Sequence, residues 1–189
     1  MLKTTRIGLL AVLVSAVMLV SAGAAEKWSP VSGHAYKQIS GEGYSNCIFA
    51  PKEIGKNKEA AAGIKQAFTK PEPVYARCYF PAPVGKVKGG NFWFELWIDR
   101  KHRGKVTFAK PPDAGWRQTQ VWVTEDDFKK QMRSLGSGKH EGIIWVMKRV
   151  FKGKKAVAGQ DASGKIKAEM KDIWIPVRLS KGKFTYSVP

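Results

Sequence analysis

The amino-acid sequence predicts a mostly β protein: a single β-sandwich-like domain of about eight short antiparallel strands with one or two short helices, after a cleaved signal peptide. Three observations carry this. Short apolar or alternating runs recur between turn signals from residue 44 onward, no strand–helix–strand order of the parallel-sheet kind is present, and residues 1–24 have the layout of an export signal.

The signal is read from two cations, Lys3 and Arg6, an apolar run from Ile7 to Val20, and the small residues Ala22-Gly23-Ala24 before a cut at Ala25. The run is short for a bilayer span, so a retained anchor is the weaker reading. Export places the mature chain in the periplasm or outside the cell. Loss of Lys3 and Arg6 takes the formal charge from +18 to +16. Residues 25–43, rich in glycine, serine and proline among polar residues, form a flexible lead-in, and residues 44–189 form the domain. Seven tryptophans within an 11% aromatic content are enough to build one packed core, which excludes a disordered basic tail.

The apolar group Cys47-Ile48-Phe49 reads as the first strand, closed by Pro51. Ala60, Ile64 and Phe68 share one helical face and predict a weak helix over 56–68, interrupted by Gly63. Residues 74–80 form a strand containing Cys78. In an exported chain Cys47 and Cys78 are expected to pair, since their wide spacing is unlike a redox C-x-x-C motif. The clearest strand is 91–99, with Phe92, Phe94, Leu96 and Ile98 on one face and Trp93, Glu95, Trp97 and Asp99 on the other. Residues 100–105 form a basic turn and 106–109 a return strand. Residues 118–123 are a strand, and Thr124 with Asp127 three positions on resembles a capping box opening a helix with Phe128, Met132 and Leu135 as its apolar stripe. Residues 142–151 read as a central strand and 152–167, rich in lysine, glycine and alanine, as a long mobile loop. Residues 173–179 and 184–188 pair around Ser180-Lys181-Gly182, with Pro176 marking an edge strand.

Histidines are sparse. His34, His102 and His140 fall in three separate predicted loops, without metal-ligand spacing, so no metal site and no cofactor is expected. His140 beside Glu141 lies near Ser134 and Ser137, but outside a G-x-S-x-G elbow. Glu95 and Asp99 with Trp93 and Trp97 offer carboxylates between aromatic platforms, as a sugar site would. Four strand positions separate the two acids by about 13 Å, too wide for a hydrolytic pair. No catalytic set is expected, and the sequence leans against an enzyme.

The dominant signal is positive charge. Arg100, Lys101, Arg103 and Lys105 form one cluster, and Lys148, Arg149, Lys152, Lys154 and Lys155 a second. Such clusters attract polyanions. Export favours an anionic envelope component or an acidic protein over nucleic acid. The leading expectation is therefore an exported, non-enzymatic binding or accessory domain using its basic loops. The alternatives are a carbohydrate-binding module on the aromatic strand face, an uncharacterised enzyme, or a charged surface that only keeps the protein soluble.

Overall fold

The computed structural model describes residues 43–56, 58–88, 90–108, 112–160 and 162–189, so the signal and almost all of the lead-in lie outside the described residues. Eight strands join in one curled, mixed sheet: β1 (Ser45–Ala50), β2 (Ala67–Thr69), β3 (Tyr75–Tyr79), β4 (Phe92–Ile98), β5 (Lys101–Thr107), β6 (Gln118–Trp122), β7 (Gly138–Gln160) and β8 (Ile166–Val188). Their order is β5-β4-β7-β8-β1-β3-β6, with β2 attached to β8. The protein is mostly β, as its alternating runs predict. The all-antiparallel expectation is departed from at two places, since β1 and β2 both run parallel to β8.

Curling brings the two halves of the sheet onto one core. β3 and β4 are separated by three strands, yet the Phe80 and Phe92 rings meet edge to face at 6.0 Å. Phe49, Phe92, Phe94, Leu96, Ile98, Ile144 and Phe184 are all buried in the same cluster. Each comes from one phase of a period-two strand, so its neighbours in sequence lie on the opposite face of the sheet, where Ile48 and Ala50 of β1 are buried in a second, smaller apolar cluster with Ile54, Ala62 and Tyr79. Cys47 and Cys78 are direct partners across β1 and β3 and form the expected disulfide.

Several local expectations are corrected. The 56–68 helix shrinks to a 3-10 turn, Glu59–Ala62, ended by Gly63 in the left-handed conformation. Phe68 is instead drawn into the core on β2, where it is 2% exposed, because β8 offers that segment a backbone partner. Thr124 does not cap a helix: its hydroxyl accepts the Val74 N–H at 2.7 Å, while Asp127 accepts the Trp122 N–H at 2.8 Å. A π turn (Val123–Asp127) then leads into α1 (Lys129–Arg133), and Phe128, Met132 and Leu135 are buried as predicted.

Residues 100–105 are not a turn. The hairpin reverses at Asp99 and Arg100, both with positive φ (51° and 65°), the pattern of a two-residue hairpin turn. Residues 152–167 are not a loop, because β7 continues to Gln160 and β8 begins at Ile166. Residues 173–179 and 184–188 do not pair with each other; both belong to β8 and pair with β7. Gly182 is a site of close approach, not of reversal. A β-carbon there would lie 2.5 Å from the Phe49 ring and 2.6 Å from Cys47 Cβ. Pro176 faces Arg149 of β7, in a stretch of β8 that β1 and β2 do not reach, consistent with its predicted edge position.

Candidate functional site

The outward phase of β4 builds the site. Trp93, Glu95 and Trp97 alternate with the buried phenylalanines and therefore share the outer face. Cross-strand register extends this face in rows. Glu95 lies between Lys105 of β5 and Trp145 of β7, and Trp145 has Lys181 of β8 on its other side. Both oxygens of Glu95 accept indole N–H groups, from Trp93 at 2.7 Å and from Trp97 at 3.3 Å. One carboxylate thus fixes the orientation of two tryptophans.

The rings carry cations. Lys105 Nζ is 4.2 Å and Arg149 Cζ 5.8 Å from the centroid of Trp93. Arg178 Cζ is 4.5 Å and Lys181 Nζ 5.3 Å from that of Trp145, whose edge also meets Tyr44 at 5.2 Å. Each stack draws on the negative face of the indole and holds a long, rotamer-rich side chain in place. Farther along β4, Trp97 meets the edge of His102 at 5.4 Å.

The two basic clusters of the sequence meet here, but not as whole clusters. Lys105 from the first and Arg149 from the second converge on Trp93. Arg100, Lys101 and Arg103 stay at the exposed β4–β5 hairpin end. Lys152, Lys154 and Lys155 lie farther along β7, where Lys154 is 4.0 Å from Asp172. Lys148 points to the other side. Its ammonium donates to the Val84 carbonyl at 2.7 Å, and burial holds its pKa below the usual lysine value.

Asp99 also leaves the face assigned to it. As the first residue of the reversal it turns to β7, where Oδ1 accepts the Glu141 N–H at 2.9 Å and Oδ2 lies 2.8 Å from His140 Nδ1. His140 and His102 stand on strands, not loops. The Nε2 atom of His140 is 2.9 Å from the Gly136 carbonyl, and Ser134 and Ser137 donate to backbone carbonyls of Gln131 and Pro189. No serine–histidine pair is assembled from these residues.

Trp93 is only 3% exposed, so its ring offers no open platform to a sugar. What the face presents is the set of cations held above the rings. Trp145, Arg178 and Lys181 were invisible as partners in the sequence because strand register is. Arg178 and Lys181 are also three apart, not two, and reach the same ring only through a bulge that places Leu179 as an extra, buried residue. Apart from this face, a concavity of about 610 Å³ lies at the β6 edge, between Trp116, Trp122, Arg117 and Arg77. There Arg77 is committed to the Ile54 carbonyl and to the side chains of Gln118 and Gln120. Among the described residues no group of three histidine, cysteine or acidic side chains could hold a metal ion, and no helix is long and apolar enough to cross a membrane. Comparison with protein-family models, with curated proteins and with solved structures finds no match to this chain.

Proposed function

We propose that the protein is an exported, non-enzymatic binding or accessory protein that holds an anionic component of the cell envelope on the outer face of β5, β4, β7 and β8. One observation carries the reading: Lys105, Arg149, Arg178 and Lys181 are stacked in pairs on two neighbouring indoles, while Glu95 between them is engaged by indole N–H groups. Cations held in place before binding lose less entropy when an anion arrives. Arginine adds a planar fork suited to phosphate or carboxylate. The disulfide between buried cysteines supports a compartment outside the reducing cytoplasm.

The test is retention of the mature chain on an immobilised acidic polysaccharide and on lipopolysaccharide across a salt series. Retention should fall steeply with salt, and Arg178→Ala with Lys181→Ala should weaken it about tenfold at low salt. Equal retention of this double variant and the wild type would overturn the assignment to this face. A salt-indifferent interaction lost on Trp97→Ala would favour a neutral carbohydrate, and capture by an acidic protein alone would move the ligand to that class.

A further inference from the structure

Beyond the last pairing with β4, β7 and β8 run on as a ribbon with no third strand among the described pairings, from Gly153 opposite Ile173 to Gln160 opposite Ile166. At about 3.3 Å per residue it projects roughly 25 Å. An isolated two-stranded ribbon is marginal in water, because it has no core of its own to bury. This one also leaves large apolar groups in solvent: Ile166 is 72% exposed, Met170 61% and Phe151, at its base, 50%.

The register separates two faces. Ala156 with Met170, Ala158 with Ala168, and Gln160 with Ile166 share one; Lys155 with Lys171, Val157 with Glu169, and Gly159 with Lys167 share the other. Six lysines lie in residues 150–176, against Asp161, Glu169 and Asp172. Lys154 with Asp172 and Lys171 with Glu169 stand 3.9–4.0 Å apart with both partners well exposed, so these two contacts offset little of the field of their own lysines. Gly153, with φ 133°, lies at the root of the ribbon, where the register shifts between Phe151 and Gly153.

We infer that this ribbon docks on an anionic phospholipid surface, seating Ile166 and Met170 at the boundary between headgroups and acyl chains while the lysines reach lipid phosphates. With Ile166, Met170 and Lys154 on one face and Lys155, Lys167 and Lys171 on the other, the ribbon is amphipathic, as such an interface requires. The ridge gains from leaving water, and each lysine near the surface adds electrostatic attraction while its stem snorkels. A soluble polyanion would use the charge but leave the ridge in water. The inference stands on the ribbon alone and does not depend on the ligand of the aromatic face.

The experiment is co-sedimentation of the mature chain with phosphatidylcholine vesicles, with and without phosphatidylglycerol. Binding is expected to be at least about tenfold stronger with the anionic lipid and to weaken with salt. Ile166→Asp with Met170→Asp, at two exposed positions, should reduce it about tenfold without changing retention on the acidic polysaccharide. Lys154→Gln with Lys155→Gln should reduce it several-fold as a second, independent variant. Equal vesicle binding by the wild type and the aspartate variant would overturn the inference, as would equal binding to neutral and anionic vesicles. So would a wild-type dimer in solution that the aspartate variant converts to monomer, since the ridge would then be covered by a second copy. Vesicle binding lost on Arg178→Ala with Lys181→Ala, but kept in the aspartate variant, would move the lipid contact to the aromatic face and overturn the ribbon's role.

Discussion

His140 Nδ1 lies 2.8 Å from Asp99 Oδ2, and the other ring nitrogen lies 2.9 Å from the Gly136 carbonyl, so the tip of the β4–β5 hairpin is tied to β7 through a ring with an acceptor at each end. Only the doubly protonated imidazolium donates to both. Asp99 first, and then the Gly136 carbonyl, raise the pKa of His140, with burial and then Arg103 opposing; the His140 contact lowers that of Asp99. The histidine contribution is therefore complete below its ordinary value near 6.5 and is lost as pH rises through the raised folded value. The aspartate contribution is present above its ordinary value of 3.8 and is lost as pH falls through the lowered one. Asp99 is 44% exposed, so the pair is worth about 1 kcal/mol or less. The melting-temperature gap between wild type and Asp99→Asn should be widest around pH 5 to 6 and close on the alkaline side. A gap that is flat with pH would contradict this account.

Removal of the disulfide should be costly. It closes a separation of 31 residues between two buried partners, which the loop-entropy model values at roughly 3 to 4 kcal/mol. Cys47→Ala with Cys78→Ala should lower the denaturant midpoint accordingly. A shift below about 1 kcal/mol would show that the sheet register alone holds β1 against β3.

Gly142 and Gly182 should be intolerant of alanine for a steric reason. A β-carbon at Gly142 would stand 2.3 Å from the Phe184 ring, and one at Gly182 is blocked by Phe49 and Cys47. These neighbours are buried and cannot swing aside, so each substitution should destabilise by about 2 kcal/mol or more. Alanine at Gly115, with nothing nearby and an ordinary φ, serves as the control. Equal melting temperatures for all three variants would contradict the packing described.

Glu95→Gln tests the face in the opposite direction to the cation variants. The amide keeps one acceptor but presents N–H groups to an indole N–H, so stability should fall by about 1 kcal/mol. Anion retention at low salt should rise, because a negative charge leaves the neighbourhood of Lys105 and the two indoles. Unchanged retention would place the bound anion elsewhere.

The core was readable wherever apolar residues alternate cleanly, as in Phe92 to Ile98, because burial on one face of a sheet writes itself into every second position. The ribbon was missed for a compositional reason. Ile166, Ala168 and Met170 do alternate with Lys167, Glu169 and Lys171, but lysine, glycine and alanine on the partner strand resemble a loop. The aromatic platform was half legible. Trp93, Glu95 and Trp97 follow from period two, whereas their neighbours Trp145, Arg178 and Lys181 depend on register and on a bulge, which are properties of pairing and leave no local trace. Asp99 failed as a face residue because alternation stops where a chain reverses, and its short carboxylate suits positive φ.

The parallel pairings of β1 and β2 with β8 set an order of events. In chain order β8 is made after every other strand, yet Ser45 and Asn46 find their partners at Ser180 and Lys181, and Phe68 at Tyr186. The strands β1, β3 and β6 have ladders of their own, as do β5, β4 and β7, but only β8 joins the two sets. Closure of the sheet is therefore postponed until β8 has been delivered, which leaves the joining of its two halves to contacts far apart in sequence, the kind that form slowly.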